Sequence, residues 1–272
     1  ADKTGRYETL KNKFEIEESL ISAVTSGLII VSGDTYRFLH EKLQFAAYSL
    51  LNEKKKYQLH AKIASSLLNK PIDFDIRDDI FTITNHLNLG KDFLPNDLPK
   101  LKASELNMEA GKKAKSSAAY EVALNYFING IHFIEAYSEE NNFNKHKYLK
   151  VNFYLEAAEC GYLLNKQDVM EEYLSKTLNE TDDLIIKARV SEIKNKYLIT
   201  SGNPSLAIQN TIELLRELGI NFPTNPNIVH VLISLIKVQN ILRKKTFQEL
   251  SSYKTATDTK FIVAMKLISI IG

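Results

Sequence analysis

The sequence predicts a mainly α protein with a single β-hairpin near its start. Apolar residues recur at three- and four-residue intervals through most of the chain, the period of a helix with one covered face. Only GLIIVSGDTYRF, residues 27–38, reads as strand, two short ones joined by a turn. Ten Gly and six Pro among 272 residues are too few for a loop-rich all-β fold.

The elements follow in order. Residues 1–15 are charged and expected to fray. A helix over Ile16–Gly27 leads into strands Leu28–Val31 and Thr35–Phe38, joined by a turn at Gly33-Asp34. The next stretch, YRFLHEKLQFAAYSLL (Tyr36–Leu51), turns from strand to amphipathic helix, and its face of Phe38, Leu39, Leu43, Ala46, Ala47, Leu50 and Leu51 is expected to be covered. Helix, hairpin and helix together suggest the tail of a winged-helix module. Asn52 can cap a helix over Glu53–Leu68, with Tyr57, Leu59, Ile63, Ala64, Leu67 and Leu68 inward and Asn69-Lys70-Pro71 ending it. A short helix over Asp78–Leu89 should end at Gly90 as its C-terminal cap, and Asp92–Pro99 reads as a linker.

A degenerate repeat follows. Tetratricopeptide-like repeats put small residues where paired helices touch, at positions 8, 20 and often 27 of each unit. With Gly111 at position 8, Ala118 falls at 15, Tyr120 at 17, Ala123 at 20, Phe127 at 24 and Gly130 at 27. A second unit sets Ala158 at 8, Asn165 at 15, Met170 at 20, Leu174 at 24 and Thr177 at 27; a third sets Gly202 at 15, Ala207 at 20 and Leu214 at 27. Met170 stands 47 residues after Ala123, and Ala207 stands 37 after Met170, so the connections are longer than in a strict 34-residue repeat. Asn141–Asn144 supplies the extra loop. Helices over Ile228–Arg243 and Ala256–Ile271 close the chain; the first is read as buried, the second as packing on a missing repeat or a partner. The expected organisation is a winged-helix remnant over 1–52, linking helices over 53–100, and a right-handed TPR-like α-superhelix over 101–272.

Four segments carry a family resemblance: HEKLQFAAYSLL (residues 40–51), NHLNLG (85–90), LNMEAGKKAKSSAAYEVALNYFINGI (106–131) and LGINFP (218–223). In this order they resemble the helical region of large bacterial multidomain signalling proteins, in which a serine/threonine kinase-like domain, an AAA/STAND-type ATPase and sensor histidine-kinase modules share one chain. The resemblance places this chain after the ATPase core. It implies a non-catalytic scaffold or sensor arm that binds a protein partner, or its own ATPase and kinase domains, and regulates them. The other reading is the arm of a transcriptional regulator, with winged-helix DNA contact and ligand-sensing repeats.

Composition narrows the chemistry. The net charge of +2 gives no footprint for nucleic acid, and Glu15, Glu17 and Glu18 at the start of the recognition-type helix would repel phosphate. One cysteine, Cys160, allows no internal disulfide and fits a reducing cytoplasm. No apolar run reaches the roughly 20 residues a membrane helix needs. The chain lacks an initial Met and ends within an apolar pattern, so it is expected to be a piece of a longer protein. GxxxxGK[ST], GxGxxG, GxSxG, HExxH and paired cysteines are all absent, so no catalytic residue, cofactor or metal is assigned. His40-Glu41, His60, His86 and Cys160 are read as packing residues, and the Lys54–Lys56, Lys112–Lys115 and Arg243–Lys245 clusters as solvated helix faces. The one candidate site is a partner groove lined by positions 2, 5, 9 and 12 of each first helix. These are Glu105, Met108, Lys112 and Lys115; Asn152, Leu155, Glu159 and Tyr162; and Arg189, Glu192, Lys196 and Ile199. Cations beside Met, Leu and Tyr suit an acidic or amphipathic segment.

Overall fold

The computed structural model describes residues 18–33, 35–68, 80–95, 100–141, 146–222, 227–246, 248–249, 252 and 257–271. The expected N-terminal coil, the Asn69–Pro71 stop, the second half of the Asp92–Pro99 linker, the Asn141–Asn144 loop and the Pro223/Pro226 loop fall wholly or largely outside them. The described protein is mainly α with one two-stranded antiparallel sheet. Its contacts divide it into two units, one of residues 1–75 and 85–98, the other of 76–84 and 99–272.

In the first unit, helix α1 (residues 18–25) ends in a Schellman turn. Gly27 takes φ +68°, and the Leu28 amide donates to the Ala23 carbonyl at 2.9 Å. Strands β1 (Ile29–Ser32) and β2 (Thr35–Phe38) pair in the register Ile29–Phe38 to Ser32–Thr35, with Gly33 at φ +60° in the tight turn. Helix α2 (Glu41–Ser49) follows, and α3 (Glu53–Leu68) starts where the Asn52 side chain accepts from the Lys55 amide at 2.9 Å.

Three expectations fail here. None of the α2 face is buried: Phe45 is 74% and Leu50 86% exposed, with Leu43 and Leu51 only half-buried. Among the described residues, little besides β2 and the side chains of His60 and Lys56 lies against it. On α3 the buried residues are Ala61 and Ala64, while Tyr57 and Leu59 are exposed. Gly90 is not a left-handed cap. It ends α4 (Ile80–Gly90) at φ −91°, and a Cβ there would lie 2.4 Å from the Ala61 amide nitrogen. The glycine is required because α3 and α4 touch backbone to backbone at that point.

The second unit contains three helix pairs: α5 (Lys100–Ser116) with α6 (Tyr120–Asn141), α7 (Lys147–Leu163) with α8 (Gln167–Glu180), and α9 (Leu184–Thr200) with α10 (Pro204–Glu217). Each first helix ends in the same Schellman turn. The residues at position 15, Ala118, Asn165 and Gly202, take φ +59°, +56° and +83°. Behind them the Ala119, Lys166 and Asn203 amides donate to the Ala114, Gly161 and Leu198 carbonyls at 3.0, 2.8 and 2.8 Å. Gly219, at φ +85°, repeats the device after α10.

In the first pair the small residue at position 8 meets position 24: a Cβ on Gly111 would lie 2.4 Å from the Phe127 ring. Position 27 meets the next pair, since a Cβ on Gly130 would lie 2.2 Å from Phe153 of α7. Ala123, Phe127, Ala158, Thr177 and Ala207 are fully buried, with Met170, Leu174 and Leu214 nearly so. In the third pair both sites are polar: Asn195 donates through Nδ2 to Thr211 Oγ1 at 2.7 Å, and Thr211 donates to the Ala207 carbonyl.

The last two helices differ from expectation. Helix α11 (Ile228–Arg243) is capped by a box between Asn227 and His230 but has no buried residue, because no described element covers its apolar sides. Helix α12 (Thr259–Ile271) does find a seat within the chain: Ala264 and Leu267 are buried against Ala188, Leu214 and Leu215 of α9 and α10.

One exchange of a methyl group therefore has opposite signs at two positions. Ala118→Gly relieves a left-handed alanine and should stabilise the second unit by about 1 kcal/mol, roughly a 2–4 °C rise in midpoint. Gly111→Ala should destabilise it, by about 1–3 kcal/mol, because Phe127 has no room to withdraw. Calorimetry on both variants checks the pair of signs.

Candidate functional site

Helix α7 positions the site. It is packed by α6, α8 and α9, which is why Phe153, Leu155, Ala157 and Ala158 are all fully buried. The lining expected for a partner groove is corrected accordingly. Leu155 is 0% and Met108 8% exposed, so both belong to the core and neither is offered to a partner. Lys112 and Arg189 are exposed, and Lys115, Tyr162 and Lys196 are half-buried. Glu192 holds Lys196 one helical turn away at 2.8 Å.

The groove's electrostatics centre on a residue outside the expected lining, Glu156. It is only 7% exposed, between the buried Leu155 and Ala157 of α7. A carboxylate at such a place needs partners. Lys115, reaching from α5, donates to Glu156 and, at 2.7 Å, to Glu159 one turn further along α7. Burial alone would lower the Lys115 pKa, but the hydrogen bonds from Glu156 and Glu159 outweigh it and leave the ammonium raised. Arg189 of α9 approaches the other Glu156 oxygen more loosely, Nη2 to Oε1 at 3.5 Å. One carboxylate thus ties the first helices of all three pairs.

Beside this network lies a cleft of about 300 Å³ lined by Glu159, Ile185, Ala188, Arg189, Glu192, Ile193, Val263, Lys266 and Leu267. Three of the expected groove residues, Glu159, Arg189 and Glu192, meet in it. Val263, Lys266 and Leu267 of α12 supply the opposite wall, which periodicity could not reveal because α12 is remote in sequence from α7 and α9. The walls combine two cations, two carboxylates and an aliphatic floor. That set can hold a charged, amphipathic group but contains no nucleophile with a base beside it.

The remaining candidates fall elsewhere. His40 caps α2 through its backbone alone, with no side-chain cap bond. His60 and His86 meet each other and Tyr48 in the first unit. Cys160 is fully buried, and that burial pushes its thiol up to about 12. Among the described residues no group of three or more His, Cys, Asp or Glu could hold a metal, and no helix is long and apolar enough to cross a membrane.

The chain is similar to the hybrid signal transduction histidine kinase G of Dictyostelium discoideum, 27% identical over 212 residues. The alignment takes in 70% of this chain and 6% of the relative, so the chain corresponds to a small part of a much longer protein. No family model and no solved structure matches it. The similarity fits a signalling role.

Glu156→Ala should cost about 2 kcal/mol of stability, since it leaves Lys115 with Glu159 alone, and Glu156→Gln should cost less. Denaturant unfolding of the two variants measures the order. Cys160, a neutral thiol at pH 8, should react with a disulfide reagent no faster than the second unit unfolds; reaction within seconds in native buffer would contradict its placement.

Proposed function

We propose that this chain is a non-catalytic helical arm of a multidomain signalling protein, and that it regulates the protein by binding a protein segment along the first-helix face of its repeats. The observation that carries the reading is the α7–α9–α12 cleft, where Arg189 and Lys266 stand over Ile185, Val263 and Leu267. Arg189 holds Glu156 at the outer limit of an ion pair, while Lys115 holds the same carboxylate closely. An incoming carboxylate can therefore engage Arg189 without leaving Glu156 unpaired. The partner is an acidic, amphipathic segment.

The similarity to a signalling histidine kinase supports the setting. The four segments quoted from the sequence support the finer proposal, an arm following the ATPase core of a STAND-like ATPase, with that ATPase or its kinase-like domain as the bound partner. Occupying the cleft would shift the resting and active populations of the whole protein by its differential affinity for the two.

The test uses this chain as bait for the purified ATPase and kinase-like regions of its own protein. Retention is expected, and Arg189→Ala with Lys112→Glu should weaken it roughly tenfold or more, with the melting curve unchanged. Retention indifferent to both substitutions would rule out the groove. Failure to retain either region would reduce the arm to a spacer.

A further inference from the structure

The first unit contains an arrangement that the proposed partner binding does not use. Tyr48 of α2, His60 of α3 and His86 of α4 form a hydrogen-bonded row. The Tyr48 hydroxyl lies 2.9 Å from His60 Nε2, and His60 Nδ1 lies 2.7 Å from His86 Nδ1. The two imidazoles are tilted at 39° with centroids 4.9 Å apart. Both rings are half-buried, and the row links α2 to α3 and α3 to α4, the last two of which also meet at Ala61 and Gly90.

Such a row has a definite proton capacity. An Nδ1···Nδ1 hydrogen bond needs one nitrogen bearing hydrogen and one bare. When both rings are neutral the row is complete: Tyr48 O–H donates to His60 Nε2, His60 Nδ1–H donates to His86 Nδ1, and His86 keeps its hydrogen on Nε2. One added proton can still be shared between the rings. A second would put hydrogen on both Nδ1 atoms, destroy the bond and set two cations face to face.

We propose that Tyr48, His60 and His86 form an acid-sensitive latch that holds α2, α3 and α4 together when the histidine pair carries at most one added proton and releases them when it is doubly protonated. The surrounding charges do not offset the second proton. Helix α4 has no charged side chain in its sequence. On the α2 side, the neighbouring charge is Lys56, whose ammonium lies 5.0 Å from the Tyr48 ring centroid and is paired with Glu53. The turn over Lys91–Phe93, which packs on α3, brings Lys91 and Asp92, one of each sign. Burial lowers the His60 pKa, and burial together with repulsion from His60 lowers that of His86. Groups lowered in the folded state contribute stability that is complete above the unfolded histidine value of about 6.5 and is lost as pH falls below it.

Proton NMR of the imidazole rings in the full chain, titrated from pH 8 to pH 4.5 and assigned with single His variants, tests the latch. His60 and His86 should titrate below the ordinary histidine value of about 6.5 in linked steps, and hydrogen exchange over residues 41–68 and 85–93, corrected for intrinsic rates, should accelerate at least tenfold across the second step. His86→Asn keeps an acceptor, its side-chain Oδ1, for His60 Nδ1–H and removes the second proton, so it should abolish that acceleration. Independent titration of both rings near 6.5, or the same acceleration in His86→Asn, would overturn the proposal. If that variant does not fold, the titration of the unsubstituted chain decides alone.

Discussion

The second unit depends on side chains that are missing. Gly111 lets the Phe127 ring lie against the α5 backbone, and Gly130 does the same for Phe153, where a methyl group would come within 2.4 Å or less of the rings. Gly161 brings α7 to the backbone of Met170 in α8, whose amide nitrogen is 2.8 Å from where a Cβ would stand. These contacts set how close successive helices lie, and Phe127 and Phe153 pack edge to face across the junction between the first and second pairs. Close approach also decides what α7 can carry. A carboxylate on the covered side of such a helix has no water to solvate it, so Glu156 must take its partners from α5 and α9. The network that links the three first helices is therefore a consequence of the packing beneath it.

Much of this architecture is legible in residues 100–217. The repeat spacing places Ala118, Asn165 and Gly202 at the same position of three units, and all three fall at the left-handed end of a first helix. The same reasoning fails for α2 and α11. Periodicity reports that a helix has an apolar side, not that another element covers it, and Phe45, Leu50 and the α11 residues stay exposed among the described residues. Gly90 misled for a related reason: its place after a helix imitates a cap, whereas its function is a close approach to Ala61 that no local pattern encodes.

The site was only partly legible. Arg189, Glu192 and Glu159 follow from repeat positions, and they do converge. Glu156 was invisible because its partners stand 41 residues before it and 33 after it, beyond any local window. The α12 wall and the His60–His86 contact, 26 residues apart, were hidden for the same reason. Charge pairing across the first helices leaves the groove internally balanced, with Arg189 its loosest member. That is the arrangement of a surface suited to exchange one weak internal contact for an external one.

Hydrogen–deuterium exchange on the longer signalling protein proposed above, compared with this 272-residue chain alone, addresses that claim most directly. Selective protection of the amides of α9 and α12 around Arg189 and Lys266 in the longer protein would be the signature of an occupied cleft, and is the result expected. Protection confined to the outer faces of α6, α8 and α10, or no difference at all, would contradict a regulatory groove.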